Sequence, residues 1–197
     1  MNDLQIRTAL KRKALVRYEK DPETVILDEL GLRHGAARID IAVVNGRLHG
    51  FEIKSDRDTL NRLPYQAKIF NSVLDRITLI VTQRHVHAAK EVVPVWWGIM
   101  LAEKGSRGAV HFSSIRRPRN NPCPNIEAVA KLLWRDEALA LLEEIGAAKG
   151  VRTKPRSVLY ARLAKVADLK RVRSRVIRQL KCREDWRSDV RRKLDDG

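Results

Sequence analysis

The chain has 197 residues, of which 44% are hydrophobic and 32% charged, enough for one sizeable domain or two small ones. It contains no apolar run of about 18 residues, which excludes a membrane-spanning helix. Its N-terminus lacks an apolar core followed by a cleavage site. We therefore expect a cytoplasmic protein with no membrane partner. Its two cysteines have no metal-binding spacing, and we expect both to be free thiols.

The positive charge is unevenly distributed. Forty Lys and Arg against 24 Asp and Glu give a net charge of +16, and residues 150–197 hold 16 of the basic and 6 of the acidic residues. Such a field attracts polyanions, so we expect a nucleic-acid partner, DNA in preference to RNA. An acidic protein, an anionic membrane surface and a plain solvated face are the alternatives. The oligomeric state is left open, a homodimer included.

Hydrophobic periodicity and turn residues predict the elements of the first part of the chain. An Asn-Gly pair joins two predicted strands and indicates a hairpin. The predicted elements are a helix over 4–20, a segment over 24–32 that fits a strand or a short helix, strands over 38–44 and 48–54, a helix from Leu63, a buried central strand over 76–82, a short helix over 84–93, and strands over 95–103 and 108–115. We expect an α/β fold with a mixed central sheet flanked by helices.

The second part is predicted to be helical. Residues 116–125, "RRPRNNPCPN", have no periodicity, so we place a boundary there, between a domain of residues 1–118 and a smaller all-α, basic domain of residues 119–197. Helices are predicted over 125–146, 156–167 and 169–186. The last two fit a helix-turn-helix and a plain helical hairpin equally well. If they bind DNA, phosphate contacts fall to Arg171, Arg173, Arg175 and Arg178.

Two charged residues interrupt the apolar strand "FEIK". Glu52 and Lys54 are two positions apart, so their side chains share one face of the strand. A two-residue loop at the hairpin would pair Asp40 with Phe51 and mix apolar and charged residues on both faces. An odd loop places Asp40 opposite or diagonal to Glu52. It also groups the apolar residues Ile39, Ile41, Phe51 and Ile53 on one face.

We therefore predict that the carboxylates of Asp40 and Glu52 lie side by side. Adjacent carboxylates repel each other, and one stays protonated unless a cation lies between them. Lys54 offsets part of this repulsion. A hard divalent cation such as Mg²⁺, which prefers oxygen ligands, would offset more and would favour phosphate chemistry.

The sequence "RID", eleven residues and "EIK" together resemble the PD-(D/E)XK nuclease superfamily, which has the restriction-endonuclease-like fold. The resemblance covers about residues 20–115 and is closest to small, poorly characterised bacterial members of the RecB-like branch. It implies a hydrolase that cleaves phosphodiester bonds in DNA with Mg²⁺ or Mn²⁺. Asp40, Glu52 and the Ile53 carbonyl would be metal ligands, and Lys54 the catalytic lysine. The proline of the family's motif is absent, and Ile39 stands in its place.

The resemblance implies further site residues. Gln66 matches a glutamine of the RecB-like branch, although Phe70 replaces the tyrosine that usually follows it. Glu29, or else Glu19, would be an additional upstream acid. Among nearby cations, Arg62 faces either phosphate or solvent, and Arg38 is expected to pair with a carboxylate. The alternative function is a catalytically inactive protein that keeps the nuclease fold and serves as a DNA-binding or adaptor protein.

Overall fold

A six-stranded mixed sheet forms the centre of the fold in the computed structural model, which describes residues 1–183. The strands lie in the sheet in the order in which they occur in the chain, with β3, β4 and β5 parallel and the other neighbours antiparallel. They are Val25–Leu32 (β1), Ala37–Val44 (β2), Leu48–Lys54 (β3), Arg76–Val81 (β4), Gly98–Lys104 (β5) and Val110–Arg116 (β6). The expected α/β class with a mixed sheet is confirmed, and the ambiguous segment is a strand.

Eight α-helices accompany the sheet in the described part of the chain. They are Asp3–Lys13 (α1), Val16–Glu19 (α2), Leu63–Val73 (α3), Val86–Val92 (α4), Ile126–Ala130 (α5), Arg135–Glu144 (α6), Arg156–Val166 (α7) and Leu169–Cys182 (α8). None of these helices is long and apolar enough to cross a lipid bilayer. The predicted helix over 169–186 extends beyond the residues that the structure describes.

Two predicted helices are each divided in two. The helix expected over 4–20 is α1 followed by the single turn of α2, and the helix expected over 125–146 is α5 followed by α6. The second division has a clear cause. Trp134 has extended backbone, and its N–H donates to Glu137 Oε2 over 2.6 Å, an N-terminal cap that starts a new helix.

The sheet separates two hydrophobic cores. On one face, Ile6 and Leu10 of α1 pack with Ile41, Phe51 and other residues of the central strands. On the other face, α3 and the helices α5–α8 pack against the sheet in one continuous core. Residues 117–125 contain no helix or strand, as predicted. Apolar side chains from both sides of residues 118 and 119 join this core. The domain boundary placed there stays a prediction.

The hairpin between β2 and β3 has an odd loop. Val44 pairs with Leu48 and Ile41 with Phe51, so the loop is residues 45–47, with Gly46 at φ +61°. This pairing ends at Ile41 and Phe51, one residue before Asp40 and Glu52. The predicted odd loop is therefore confirmed.

One part of the predicted face pattern is wrong. Ile39 lies in the core under α3, whereas Ile41, Phe51 and Ile53 lie in the core under α1. The side-chain alternation slips by one residue at Asp40, and in β1 it slips at the partner position Glu29. Glu29 has the left-handed backbone angle φ +53°, and no backbone pairing joins it to Asp40. This local irregularity, which the sequence pattern does not reveal, lies directly beside the predicted site.

A glycine in β3 permits close packing over the hairpin. A Cβ atom at Gly50 would lie 2.6 Å from Leu74 Cδ1 and 3.0 Å from Ile39 Cγ1, whereas one at Gly31 would find no atom nearer than 3.9 Å. We predict that Gly50→Ala lowers the free energy of unfolding by about 1–3 kcal/mol because the core is overpacked. Gly31→Ala is the matched strand control, expected to change it by no more than about 1 kcal/mol. Urea denaturation of both variants tests this, and equal stabilities would contradict the packing.

Candidate functional site

Glu52, Lys54 and Gln66 form one hydrogen-bonded cluster between β3 and α3. Lys54 Nζ donates to Glu52 Oε1 over 2.8 Å and to Gln66 Oε1 over 3.1 Å, while Gln66 Nε2 donates to Glu52 Oε1 over 3.0 Å. The side chains of Glu52 and Lys54 are only 2% and 9% exposed. Both charged groups are therefore buried at the carboxyl end of β3, and each is compensated by the other and by the amide of Gln66.

The second oxygen of Glu52 has no hydrogen-bond partner within residues 1–183. Its Oε2 atom is buried without a hydrogen bond, although a buried carboxylate oxygen normally has one. Burial, together with the nearby charge of Asp40, raises the pKa of Glu52 to about 7, while Lys54 and Gln66 act in the opposite direction. The cluster therefore carries an acceptor that an additional cation or proton would satisfy.

Asp40 reaches this place from the neighbouring strand. Its Oδ2 accepts a hydrogen bond of 2.6 Å from the backbone N–H of Ile53, in the region where the backbone pairing of β2 with β3 has ended. Burial raises the pKa of Asp40 to about 6, against the lowering effects of that hydrogen bond and of Arg7. Arg7 of α1 binds Asp40, whereas Gln66 of α3 binds Glu52, and the charge of Asp40 acts on the pKa of Glu52. That the two carboxylates lie side by side stays a prediction.

Arg7 of α1 joins Asp40 to the upstream acid. Its Nη2 lies 2.7 Å from Glu29 Oε1 and 3.1 Å from Asp40 Oδ1, and its Nη1 donates to the backbone oxygen of Asp40 over 3.1 Å. Its Nε also contacts Asp3 over 3.3 Å. The expected pairing of Arg38 with a carboxylate is not found within the described range 1–183: Arg38 is exposed, and Arg7 is the cation that binds Asp40.

Between the two proposed upstream acids, Glu29 lies beside the site. Its left-handed backbone at the slip in β1 directs the carboxylate to Arg7, whereas Glu19 is exposed at the end of α2. Glu29 is thus linked to Asp40 through the guanidinium group of Arg7. Arg7 was not predicted, because a basic residue on an amphipathic helix has no local signal that distinguishes it from a solvated one.

The carboxylates of Asp40 and Glu52 meet some of the requirements of a site for a hard divalent cation. Two carboxylates with raised pKa values lie on adjacent strands, and one of them has an unsatisfied buried oxygen. Both features favour an added positive charge and oxygen coordination. Within residues 1–183, however, no three His, Cys, Asp or Glu side chains form a metal-binding group. A cation here would need a backbone oxygen, for which the Ile53 carbonyl stays a prediction, and water.

The predicted phosphate-contacting arginines are spread over two places. Arg62 is exposed at the residue before α3, one helical turn from Gln66. On α8, Arg171 and Arg175 form ion pairs with Glu144, and Arg173 pairs with Asp75. Arg178 is exposed on the same helix. The structure therefore does not bring the arginines of α8 together with the carboxylates at the end of β3.

Fold and site together define a mixed α/β protein with a buried polar cluster at the carboxyl ends of its parallel strands. The model of the family described as bacteriophage P4 protein cII matches residues 5–193, so the chain belongs to that family. Protein cII of Enterobacteria phage P4 is 29% identical over 124 residues, which is 63% of this chain and 47% of that protein. The chain thus spans about half the length of this curated relative.

A solved structure gives a more distant likeness. A protein of unknown function from Silicibacter pomeroyi has 20% sequence identity and a TM-score of 0.42, covering 78% of this chain and 100% of the other. Neither this description nor the name of the phage protein states a substrate or a reaction. The activity is therefore inferred from the site itself.

The raised pKa of Glu52 predicts a dependence of stability on pH. Because folded Glu52 holds its proton more tightly than the unfolded chain, whose ordinary value is 4.5, folding takes up a proton between about pH 4.5 and 7. The free energy of unfolding of the wild type should fall as pH rises through this window, relative to Glu52→Gln, by an amount on the order of a few kcal/mol. Urea denaturation at several pH values measures the difference, and a pH-independent difference would contradict the buried charge.

Proposed function

We propose that this chain is a metal-dependent nuclease with a PD-(D/E)XK-type site and a restriction-endonuclease-like fold. The observation that carries the proposal is the buried cluster of Glu52, Lys54 and Gln66. Asp40 is held beside it by the Ile53 N–H, and its charge raises the pKa of Glu52. These are the residues that the resemblance assigns to the site. A solvated polar strand face would leave Glu52 and Lys54 exposed, yet both are buried.

Asp40 and Glu52 would hold Mg²⁺ or Mn²⁺, with the Ile53 carbonyl as a third ligand. When bound, such an ion would supply charge neutralisation at a phosphate and a lowered pKa for water. The protein's part is to prepare the ligands. The Ile53 N–H fixes one oxygen of Asp40, and Lys54 with Gln66 fixes one oxygen of Glu52, leaving Oε2 available.

Lys54 is placed to handle a phosphate or a water molecule. Its ammonium group is held by Glu52 Oε1 and Gln66 Oε1, which account for two of its three N–H donors. The third donor would orient the attacking water or bind a phosphate oxygen. Gln66 acts as a positioning residue, because it contacts both Glu52 and Lys54 and sets their relative orientation.

Arg7 gives the site a charge that opposes metal binding. Its guanidinium already neutralises part of Asp40 through a contact with Oδ1. A divalent ion on the same carboxylate would be repelled by it unless Arg7 turns towards Glu29 and Asp3, its other two acidic partners. Arg7 therefore both orders Asp40 and weakens its affinity for a cation.

DNA is the proposed substrate because of the charge of the chain. The net charge of +16 favours a polyanion, and the exposed Arg62 lies close to Gln66 in the chain, at the start of the same helix. The proposed reaction is hydrolysis of a phosphodiester bond. Membership of the phage cII family neither adds to nor subtracts from this assignment, since the family's description states no reaction.

A second candidate is an inactive nuclease fold that binds DNA or acts as an adaptor. Arg7 favours this alternative, because it already supplies a positive charge to Asp40. In a metal-dependent nuclease that charge would come from the metal ion. The lack of a three-residue metal-binding group in the described chain agrees with this alternative. The two functions differ in cleavage and in response to divalent ions, not in DNA binding.

Cleavage assays with matched variants separate the two candidates. We expect Mg²⁺- or Mn²⁺-dependent nicking of DNA by the wild type and a loss of about 100-fold or more in Asp40→Asn and Lys54→Met, because each removes a group from the reacting centre. Glu19→Gln is the control, an exposed acid outside the site, and should keep full activity. No cleavage by the wild type of single-stranded, duplex or plasmid DNA would favour the inactive fold.

Thermal unfolding tests the cation site without relying on activity. We expect Mn²⁺ to raise the melting temperature of the wild type, because a ligand that binds only the folded state stabilises it. Glu52→Gln should abolish the rise, and Arg7→Gln should shift it to lower Mn²⁺ concentration, since a competing charge is gone. An equal Mn²⁺ response in the wild type and Glu52→Gln would place the ion elsewhere.

A further inference from the structure

An open cleft of about 440 Å³ lies at the opposite end of the parallel strands from the carboxylates. It is bordered by the hairpin turn at Gly46 and Arg47, by Asn120 and Asn121, by Asp75, and by Arg173 of α8. Asp75 immediately precedes β4, and Leu48, whose backbone N–H donates to Asp75, is the first residue of β3. The seven residues of β3 separate the cleft from Lys54 by about 20 Å.

Positive charge exceeds negative charge in this cleft. Among its described lining residues Asp75 is the one acid, and the charges of Arg173, Arg47 and Arg76 all act on its carboxyl group. Both oxygens of Asp75 already have contacts within the protein. Its Oδ2 accepts a hydrogen bond from the backbone N–H of Leu48 over 2.8 Å, and its Oδ1 lies 2.6 Å from Nη2 of Arg173. One carboxylate therefore faces three guanidinium groups.

The other two arginines retain most of their donors. Arg47 Nη1 and Arg76 Nε both donate to Asn120 Oδ1, over 3.3 Å and 2.8 Å, and neither forms an ion pair with a carboxylate in residues 1–183. A guanidinium has five N–H donors, so a single amide oxygen leaves both groups largely unsatisfied. Asn120 positions them at the cleft without neutralising them. Arg173 adds a buried Nε that has no hydrogen-bond partner among the described residues.

Helix α8 connects this cleft to a second basic one. The second cleft, of about 370 Å³, is lined by four basic residues and two acids, and Glu144, one of the acids, forms ion pairs with Arg171 and Arg175. The six are Glu144, Asp168, Lys170, Arg171, Arg175 and Arg178. Arg173 belongs to the first cleft and its neighbours in the helix to the second. Two open basic clefts on one helix suit an extended anion with repeated charges better than a single small one.

We propose that the cleft between the β2–β3 turn, residues 120–124 and α8, here called the Arg47 cleft, binds the phosphate backbone of a nucleic acid. Arg47 and Arg173 contact phosphate oxygens, and Asn120 holds Arg47 and Arg76 in place. This contact positions the nucleic acid without reading its sequence. The proposal rests on the nucleic-acid partner inferred above but not on cleavage, since the cleft lies far from Glu52.

Binding of the full chain to a fluorescent DNA duplex in EDTA tests the cleft, because no cleavage occurs without a divalent ion. We expect Arg47→Glu to weaken binding roughly tenfold and to lower the slope of log K against log salt by about one or more. The matched control is Arg12→Glu, which reverses an exposed charge on α1, across the sheet from α8, and should have a much smaller effect. Thermal unfolding verifies that both variants fold.

Three results would overturn the proposal. The first is that the wild type does not bind DNA, and the second is that Arg47→Glu and Arg12→Glu bind it with equal affinity. The third is that AMP or inorganic phosphate displaces the duplex at a concentration far lower than the chloride concentration needed to displace it. The last would identify a free nucleotide or phosphate as the occupant. If the wild type never cleaves DNA but Arg47→Glu loses affinity, the nuclease assignment fails and the Arg47 cleft stands. If cleavage is found and Arg47→Glu binds normally, the reverse holds.

Discussion

A buried carboxylate with one unsatisfied oxygen determines the character of this molecule. Glu52 is almost fully buried, and one oxygen accepts hydrogen bonds from both Lys54 and Gln66, while the other has no partner in the part of the chain that the structure describes. Such an arrangement costs stability unless a further positive charge is added, because desolvation disfavours an ionised group. The second acid, Asp40, increases the cost. This deficit is the physical reason for proposing that a cation binds here.

The register of the hairpin could be predicted because apolar and charged residues alternate in both strands. A two-residue loop would have put charge into both cores, and the observed loop over 45–47 avoids this. Strands β2, β3 and β4, the start of α3 and the turn before α8 all follow from similar local patterns. The positions of Glu52, Lys54 and Gln66 follow in turn from the strand pattern of β3 and from the helix that succeeds it.

The features that were not predicted depend on long-range contacts. Arg7 lies 33 residues from Asp40 in the chain, and nothing in its own helix distinguishes it from the exposed Arg12. The slip of alternation at Glu29 and Asp40 places Ile39 in the other core, although its position in the pattern matches that of Ile41. The slip involves Glu29, a non-glycine residue with positive φ, which local propensity disfavours and tertiary contacts must stabilise. The ion pairs that engage the arginines of α8 are likewise invisible in a helical pattern.

The central claim is that Asp40 and Glu52 share one divalent cation. A crystal soaked in Mn²⁺ and measured for anomalous scattering tests it most directly. We predict an anomalous peak within coordination distance of both carboxylates, with Arg7 turned towards Glu29 and Asp3. A crystal with no peak between the two acids, and with Arg7 still bound to Asp40 at high Mn²⁺ concentration, would contradict the claim and leave a positively charged binding protein.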